Sequence, residues 1–408
     1  MRARIVLFFV VVGGLLNYID RQMIAVLKPM LEAELGWTDI EYGYLVAVFQ
    51  LAAAVSLVFA GWFVDRVGWR AANPLGVGTW SIAAMAHGLA RTLGEFTVVR
   101  VALGATEALG TPTAIKTISV WFTTKQRSLA FGICNAATTG GAIVAPLIVP
   151  FLALRVGWRA AFAIVGGIGL VWVATWLIVM RLPAFKSPPP ATDGTQAADT
   201  GAKVPWGIIL RDRKTWAIAG AKVMSDQVWW FLLFWMPDLF TRVFGLDMRT
   251  FGLPLATVYT MSAIGALLGG FASTRLLARG TSLNRARKLV MLVSALLAVP
   301  APLVLNVDSY WVAAFILGLT LAAHQGFAVN VFATASDVVP PERIGTVIGI
   351  GALCGNLAGM VILQFAGWVL QTTGSYAPMF ALVSVSYLLA LLWLNWLLPE
   401  IRPAGARG

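Results

Sequence analysis

Six ionisable side chains stand inside stretches that are otherwise apolar: Asp20 and Arg21, Arg100 and Glu107, and Lys222 and Asp226. In hydrocarbon each charged group costs about 2.5–3.5 kcal/mol on insertion scales, so each wants a partner or a wet cavity. Asp20 and Arg21 are adjacent and project about 100° apart on a helix, so they cannot both face one direction. Turned toward a cavity, Arg21 would grip a carboxylate through two parallel N–H donors, with Asp20 nearby as a proton acceptor. The competing reading is a structural ion pair that ties this helix to a neighbour. Arg100 and Glu107 lie two turns apart, about 10 Å along one helix face, beyond simple i,i+4 contact. Either at least one of them meets another helix or a ligand, or both serve internal charge neutralisation. A buried carboxyl's affinity for protons depends on the cation beside it, so switching that partner couples proton movement to the arrival of an anion. Lys222 and Asp226 share a face as an i,i+4 pair. Lys222 then forms a second wall of an anion site, or the two residues form a salt bridge.

Neutral polar residues accompany these charges. Tyr18, Tyr44, Gln50, Asn135, Gln325, Asn330 and Asn356 occur in otherwise apolar helices. Amide and phenol groups donate and accept, which suits several hydroxyls of a polyol-like ligand; each taken singly serves equally as glue between helices. Trp229, Trp230 and Trp235 suit either stacking on a sugar face, with Trp230 the preferred candidate, or contact with lipid. Lys116 follows Glu107 by nine residues, on the opposite face of a continuous helix, where snorkelling to the membrane edge accounts for it. His87 and His324 read as hydrogen-bonded packing residues. Cys134 and Cys354 are far apart in apolar stretches and suggest no disulfide. The sequence holds no Walker A motif, HExxH motif or clustered Cys/His set, so no cofactor or metal is expected.

The elements that must position these residues follow from composition. Of 408 residues 59% are hydrophobic and 12% charged, against about 25% charged in a soluble domain. That excludes a soluble enzyme and allows about a dozen spans of roughly 20 residues. Apolar periodicity predicts spans at 5–27, 42–64, 72–91, 95–120, 129–153 and 159–181, and again at 215–240, 251–275, 287–306, 310–334, 344–370 and 376–398. Residues 183–214, with Pro188-Pro189-Pro190, have a linker composition. The expected organisation is an N-terminal bundle over 1–182, a cytoplasmic linker over 183–214, and a C-terminal bundle with a short tail over 215–408. No cleavable signal peptide is expected, because Arg2 and Arg4 lead straight into the first span. The net charge of +12 reports topology rather than nucleic-acid binding. Arg2, Arg4, Arg66, Arg70, Lys125, Arg127, the linker, Arg275 to Lys288, Arg343 and the tail carry most of the thirty basic residues. All of these fall on one side, which places both termini in the cytoplasm.

The two halves echo each other. Gly61 precedes Arg66 by five residues, and Gly270 precedes Arg275 by five. Lys125-Gln126-Arg127 with Gly132 is matched by Pro341-Glu342-Arg343 with Gly349. Gly351, Gly355 and Gly359 repeat every four residues and allow close helix packing; with Gly132 and Gly140 they either permit the halves to slide or serve packing alone. Duplicated halves are the plan of many secondary transporters, which bind substrate near mid-membrane at the repeat interface.

Gly61-x-x-x-Asp65-Arg66-x-Gly68-x-Arg70 resembles the signature loop of the major facilitator superfamily, where an acidic and basic pair latches helix ends. A narrower resemblance is to its anion:cation symporter family, and there to bacterial hexuronate transporters. It rests on Asn17-Tyr18-Ile19-Asp20-Arg21, on Arg100 with Glu107, and on Gly132 to Asn135. The block from Asp226 through Trp229-Trp230 to Pro237, and His324-Gln325 with Asn330 and Asp337, extend it along almost the whole chain. The resemblance implies an all-α membrane protein of twelve transmembrane helices in two pseudo-symmetric six-helix bundles. It further implies a monomeric, multi-pass carrier of the bacterial inner membrane, in contact with lipid, that imports an organic anion with protons. Asp20 and Glu107 match the family's proton carriers; Arg21 and Arg100 match arginines that contact the anion or partner the acids. A hexuronate is the expected substrate, an aldonate or aldarate the runner-up. A transporter-derived sensor or a channel is the reading from another class, and an enzyme finds no nucleophile–base set.

Overall fold

The computed structural model describes residues 2–185 and 206–402, which form helices and turns and no strand. Pro188-Pro189-Pro190 and most of the expected linker lie outside the described residues. The chain divides into two compact units, Met1–Asp199 and Thr200–Gly408.

The first unit contains α1 (Arg2–Val26), α2 (Lys28–Leu35), α3 (Asp39–Val67), α4 (Trp69–Ala86), α5 (Leu93–Glu107), α6 (Gly110–Trp121), α7 (Thr124–Val156) and α8 (Trp158–Arg181). Thr38 with Glu41 and Thr92 with Glu95 form capping boxes that start α3 and α5, each satisfying orphan N–H groups at a helix start. Gly68 at φ +81° and Gly157 at φ +82° join α3 to α4 and α7 to α8 with no further spacer, a backbone conformation open to glycine at little cost.

The fourth expected span, 95–120, is not one helix. It breaks at Ala108-Leu109 into α5 and α6. Pro112 supplies the reason: it lacks an N–H, and its ring would clash with the carbonyl of Ala108 four residues back. Gly110 and Thr111 complete a weak helical stretch. Glu107 therefore closes one helix, and Lys116 sits on another.

The second unit contains α9 (Trp206–Arg211), α10 (Arg213–Phe244), α11 (Gly252–Ala278), α12 (Leu283–Ala298), α13 (Tyr310–Val338), α14 (Pro341–Thr373) and α15 (Ala377–Leu397). The short helix α9 lies where the sequence reads as linker. In the first unit α1 packs on α7, α3 on α5, and α4 on α8. In the second α10 packs on α14, α11 on α13, and α12 on α15. The same pairing order occurs twice, as the echoed motifs suggest.

Small residues set these contacts. A Cβ on Gly104 would collide with the backbone at Phe49, and one on Gly265 or Gly269 with the backbone at Ala322 or Gly326. Large apolar side chains such as Phe59, Trp62, Leu267 and Trp396 are more than 60% exposed, an apolar exterior that suits lipid. Among the described residues nine helical spans are long and apolar enough to cross a membrane. The other three expected spans coincide with α4, with the broken α5–α6 pair, and with α10. These fall short because of Arg70 and Asn73 in α4, the break in α5–α6, and Lys222, Asp226, Gln227 and Asp238 in α10.

Candidate functional site

Helix α1 opens on Arg2 and Arg4, is apolar from Ile5 to Leu16, and then presents Asn17, Tyr18 and Arg21. Asn17 and Arg21 share a face by i,i+4 spacing, and Arg21 Nη2 makes a long 3.4 Å hydrogen bond to Asn17 Oδ1. Arg21 Nε donates to Glu107 Oε2 at 2.9 Å. The guanidinium also lies over the rings of Tyr18 and Phe49, at 4.9 Å and 5.5 Å. The α5–α6 break leaves Glu107 as the last residue of α5, facing α1 rather than Lys116.

This pair lies in the wall of a cavity of about 420 Å³ inside the first unit. The volume falls within the roughly 300–1,000 Å³ of small-molecule sites. Its lining comes from α1, α4, the α5–α6 break, α6, α7 and α8, and includes Tyr18, Asn73, Cys134, Asn135 and Thr138. Four lining residues each hold one buried polar atom with no hydrogen-bond partner among the described residues: Asn17 Nδ2, Trp80 Nε1, Glu107 Oε1 and Thr113 Oγ1. Such a group left unsatisfied costs about 1–3 kcal/mol, so four around one chamber point to a polar occupant.

Of the residues expected from sequence, Tyr18, Arg21, Glu107 and Asn135 line this cavity; Asp20, Arg100 and Tyr44 do not. Asp20 is 1% exposed, and its Oδ1 finds no partner among the described residues. Arg100 is wholly buried, with its guanidinium 4.2 Å from the Phe49 ring and both terminal nitrogens unpaired among the described residues. Tyr44 is exposed. Sequence reading passed over Asn73, Trp80 and Thr113. The available signal was the seven-residue spacing of Asn73 and Trp80, which puts both on one face of α4.

In the second unit Lys222 and Asp226 form an ion pair at 2.7 Å, and Lys222 Nζ lies 4.6 Å from the Phe332 ring. Trp229 stacks on His324 at 5.4 Å, and His324 Nδ1 hydrogen-bonds Tyr387 at 3.0 Å. Asn330 donates to the carbonyls of Gly269 and Gly326, and Asn356 to that of Ala352. Trp230 is buried and stacks loosely on Phe234. Gln325 is half-buried. His87 stacks on Phe162 and bonds the Ala83 carbonyl, a packing role.

In the signature-like loop Asp65 pairs with Lys116 of α6 at 2.7 Å. Lys116 therefore ends in an ion pair rather than snorkelling alone. Arg66 lies over Trp62, and Arg70 donates to the carbonyl of Phe185, tying α4 to the turn after α8. A Cβ on Gly61 would meet nothing within 4 Å, and Gly68 makes the turn.

Comparisons with known proteins bear on the family and the fold. The hexuronate transporter of Escherichia coli (strain K12) is 28% identical over 97% of this chain and 93% of its own. The protein named "Probable L-galactonate transporter" of the same organism is 26% identical over 92% and 84%. A crystal structure of a bacterial homolog of the human lysosomal transporter Spinster matches with a TM-score of 0.74 and 20% identity, over 97% of this chain and 95% of that one. That is a likeness of fold. With the sequence model of the Major Facilitator Superfamily matching residues 10–363, the chain belongs to that superfamily and is a membrane transporter rather than an enzyme.

Proposed function

We propose that this chain is a proton-coupled symporter that imports a sugar acid, a hexuronate, across a bacterial inner membrane, with both termini cytoplasmic. The observation that carries this reading is the Arg21–Glu107 pair in the wall of a 420 Å³ cavity. An arriving carboxylate competes with Glu107 for the Arg21 guanidinium, which can hold it through two donors. A carboxylate stripped of its cation in apolar surroundings takes up a proton, so substrate arrival and protonation of Glu107 become one event. Asp20, buried beside Arg21, is the second proton carrier. Arg100, packed on Phe49, serves the acids rather than the substrate. Lys222, held by Asp226, is the second unit's candidate cation. Neutralising the acids lowers the charge penalty of closing the site, and release follows deprotonation on the cytoplasmic side. The relative named for L-galactonate supports an aldonate as the second reading, because a guanidinium fits any sugar carboxylate.

Purified protein in liposomes is expected to accumulate labelled galacturonate or glucuronate under an acid-outside gradient, with the two competing better than aldonates or aldarates. Accumulation that a protonophore leaves unchanged would remove the coupling from this reading. Competition led by galactonate would shift the substrate to the second reading.

A further inference from the structure

We infer that Asn17, Trp80 and Thr113 form a hydroxyl-recognising subsite in the first unit, which reads the polyol part of the substrate while Arg21 takes its carboxylate. The inference rests on the sugar-acid reading and adds its specificity determinants. These residues come from three elements, α1, α4 and α6, and all line the one cavity. Each side chain is more than nine-tenths buried, and Asn17 Nδ2, Trp80 Nε1 and Thr113 Oγ1 are sealed from bulk water without a partner among the described residues.

The Asn17 amide and the six-membered ring of Trp80 meet at the α5–α6 break. A Cβ built on Gly110 would stand 3.7 Å from Asn17 Nδ2 and 3.8 Å from Trp80 Cζ3. Two of the groups, the amide N–H and the indole N–H, only donate; the Thr113 hydroxyl donates and accepts; Glu107 Oε1 accepts. A sugar hydroxyl accepts from the first kind and donates to the last, so a row of hydroxyls satisfies the whole set. A simple aliphatic carboxylate has groups for Arg21 alone. The remaining wall, with Val10, Val77 and Ile115, suits the C–H faces of a sugar ring. On binding, small rotations of the Asn17 amide and the Thr113 hydroxyl turn these atoms to the ligand.

The test uses full-length protein in detergent, with Trp80→Phe and Thr113→Val made separately. Binding of glucuronate and of cyclohexanecarboxylate, which has the acid but no hydroxyls, is measured by calorimetry. Each variant is expected to weaken glucuronate by about tenfold, the size of one hydrogen bond, and to leave cyclohexanecarboxylate within twofold of wild type. Thr113→Val is nearly isosteric, so it decides the matter if Trp80→Phe does not fold. Unchanged glucuronate binding in both variants means that water alone serves these groups, and equal weakening of both ligands means a structural role; either overturns the subsite. Wild-type protein that binds no sugar acid at all overturns the sugar-acid reading itself, and the subsite with it.

Discussion

Arg21 occupies a position where the shape of the cation matters as much as its charge. Its Nε edge holds Glu107 at 2.9 Å, and its flat face lies on Tyr18 and Phe49. A lysine would keep the charge but offers a single point on a flexible stem, with neither the fork nor the stacking plane. Arg21→Lys is therefore expected to insert normally and to weaken substrate binding by about 10- to 100-fold, the range for a hydrogen bond to a charged group. Equilibrium binding of labelled hexuronate checks this, and wild-type affinity in the variant would sink the assignment of Arg21. Arg21 and Glu107 were legible in sequence because a charge in an apolar run stands out against its neighbours. Asn73, Trp80 and Thr113 were not. Neutral polar residues and tryptophan are common in membrane helices for packing reasons, and only the folded cavity separates the members of a site from the glue.

At the scale of elements, the glycine repeat of α14 has a definite partner. Gly351, Gly355 and Gly359 face Lys222, Asp226 and Trp230 of α10, residue against residue at four-residue spacing. A methyl on Gly355 would overlap the Asp226 carboxylate that holds Lys222. Gly132 and Gly140 of α7 differ: a Cβ at either meets nothing within 4 Å, so tight helix packing does not explain them. Gly355→Ala is expected to lower stability by about 1–3 kcal/mol, the usual cost of overpacking, and to reduce uptake by moving Asp226. Gly132→Ala is expected to match wild type in both. Thermal unfolding of the purified variants with parallel uptake assays decides it. A Gly355→Ala protein as stable and active as the control would show that α10 and α14 separate at little cost. The repeat was visible in sequence, but its partner was not, since spacing alone names a face and not what it meets. The α5–α6 break was legible too, in Gly110-Thr111-Pro112, but the apolar run on both sides outweighs that signal when spans are read by hydropathy.

Across the whole molecule, the echo of one half in the other and the apolar exterior were legible, because both follow from patterns that persist over many residues; the pairing order of the helices was not. What composition does not contain is the number of charges moved per cycle, and here the two acids of the first unit make a quantitative claim. One proton on each of Asp20 and Glu107 against one substrate carboxylate leaves a single net positive charge travelling inward on the proposed cycle. Moving one charge through 100 mV is worth about 2.3 kcal/mol, which corresponds to about 50-fold accumulation. Liposomes with equal pH on both sides and a potassium-diffusion potential of that size, negative inside, are therefore expected to concentrate hexuronate toward that limit. If only one of the acids carries a proton, the cycle is electrically neutral and the same potential moves nothing, while a pH gradient still drives uptake. Glu107→Gln removes the carrier that competes for Arg21 and leaves Asp20 with one proton per anion, so it is expected to abolish accumulation driven by the potential alone, while a pH gradient still drives uptake and exchange of labelled for unlabelled substrate persists. Concentrative uptake driven by the potential alone in Glu107→Gln would assign coupling elsewhere, and the Arg21–Glu107 pair would then be a structural tie between α1 and α5.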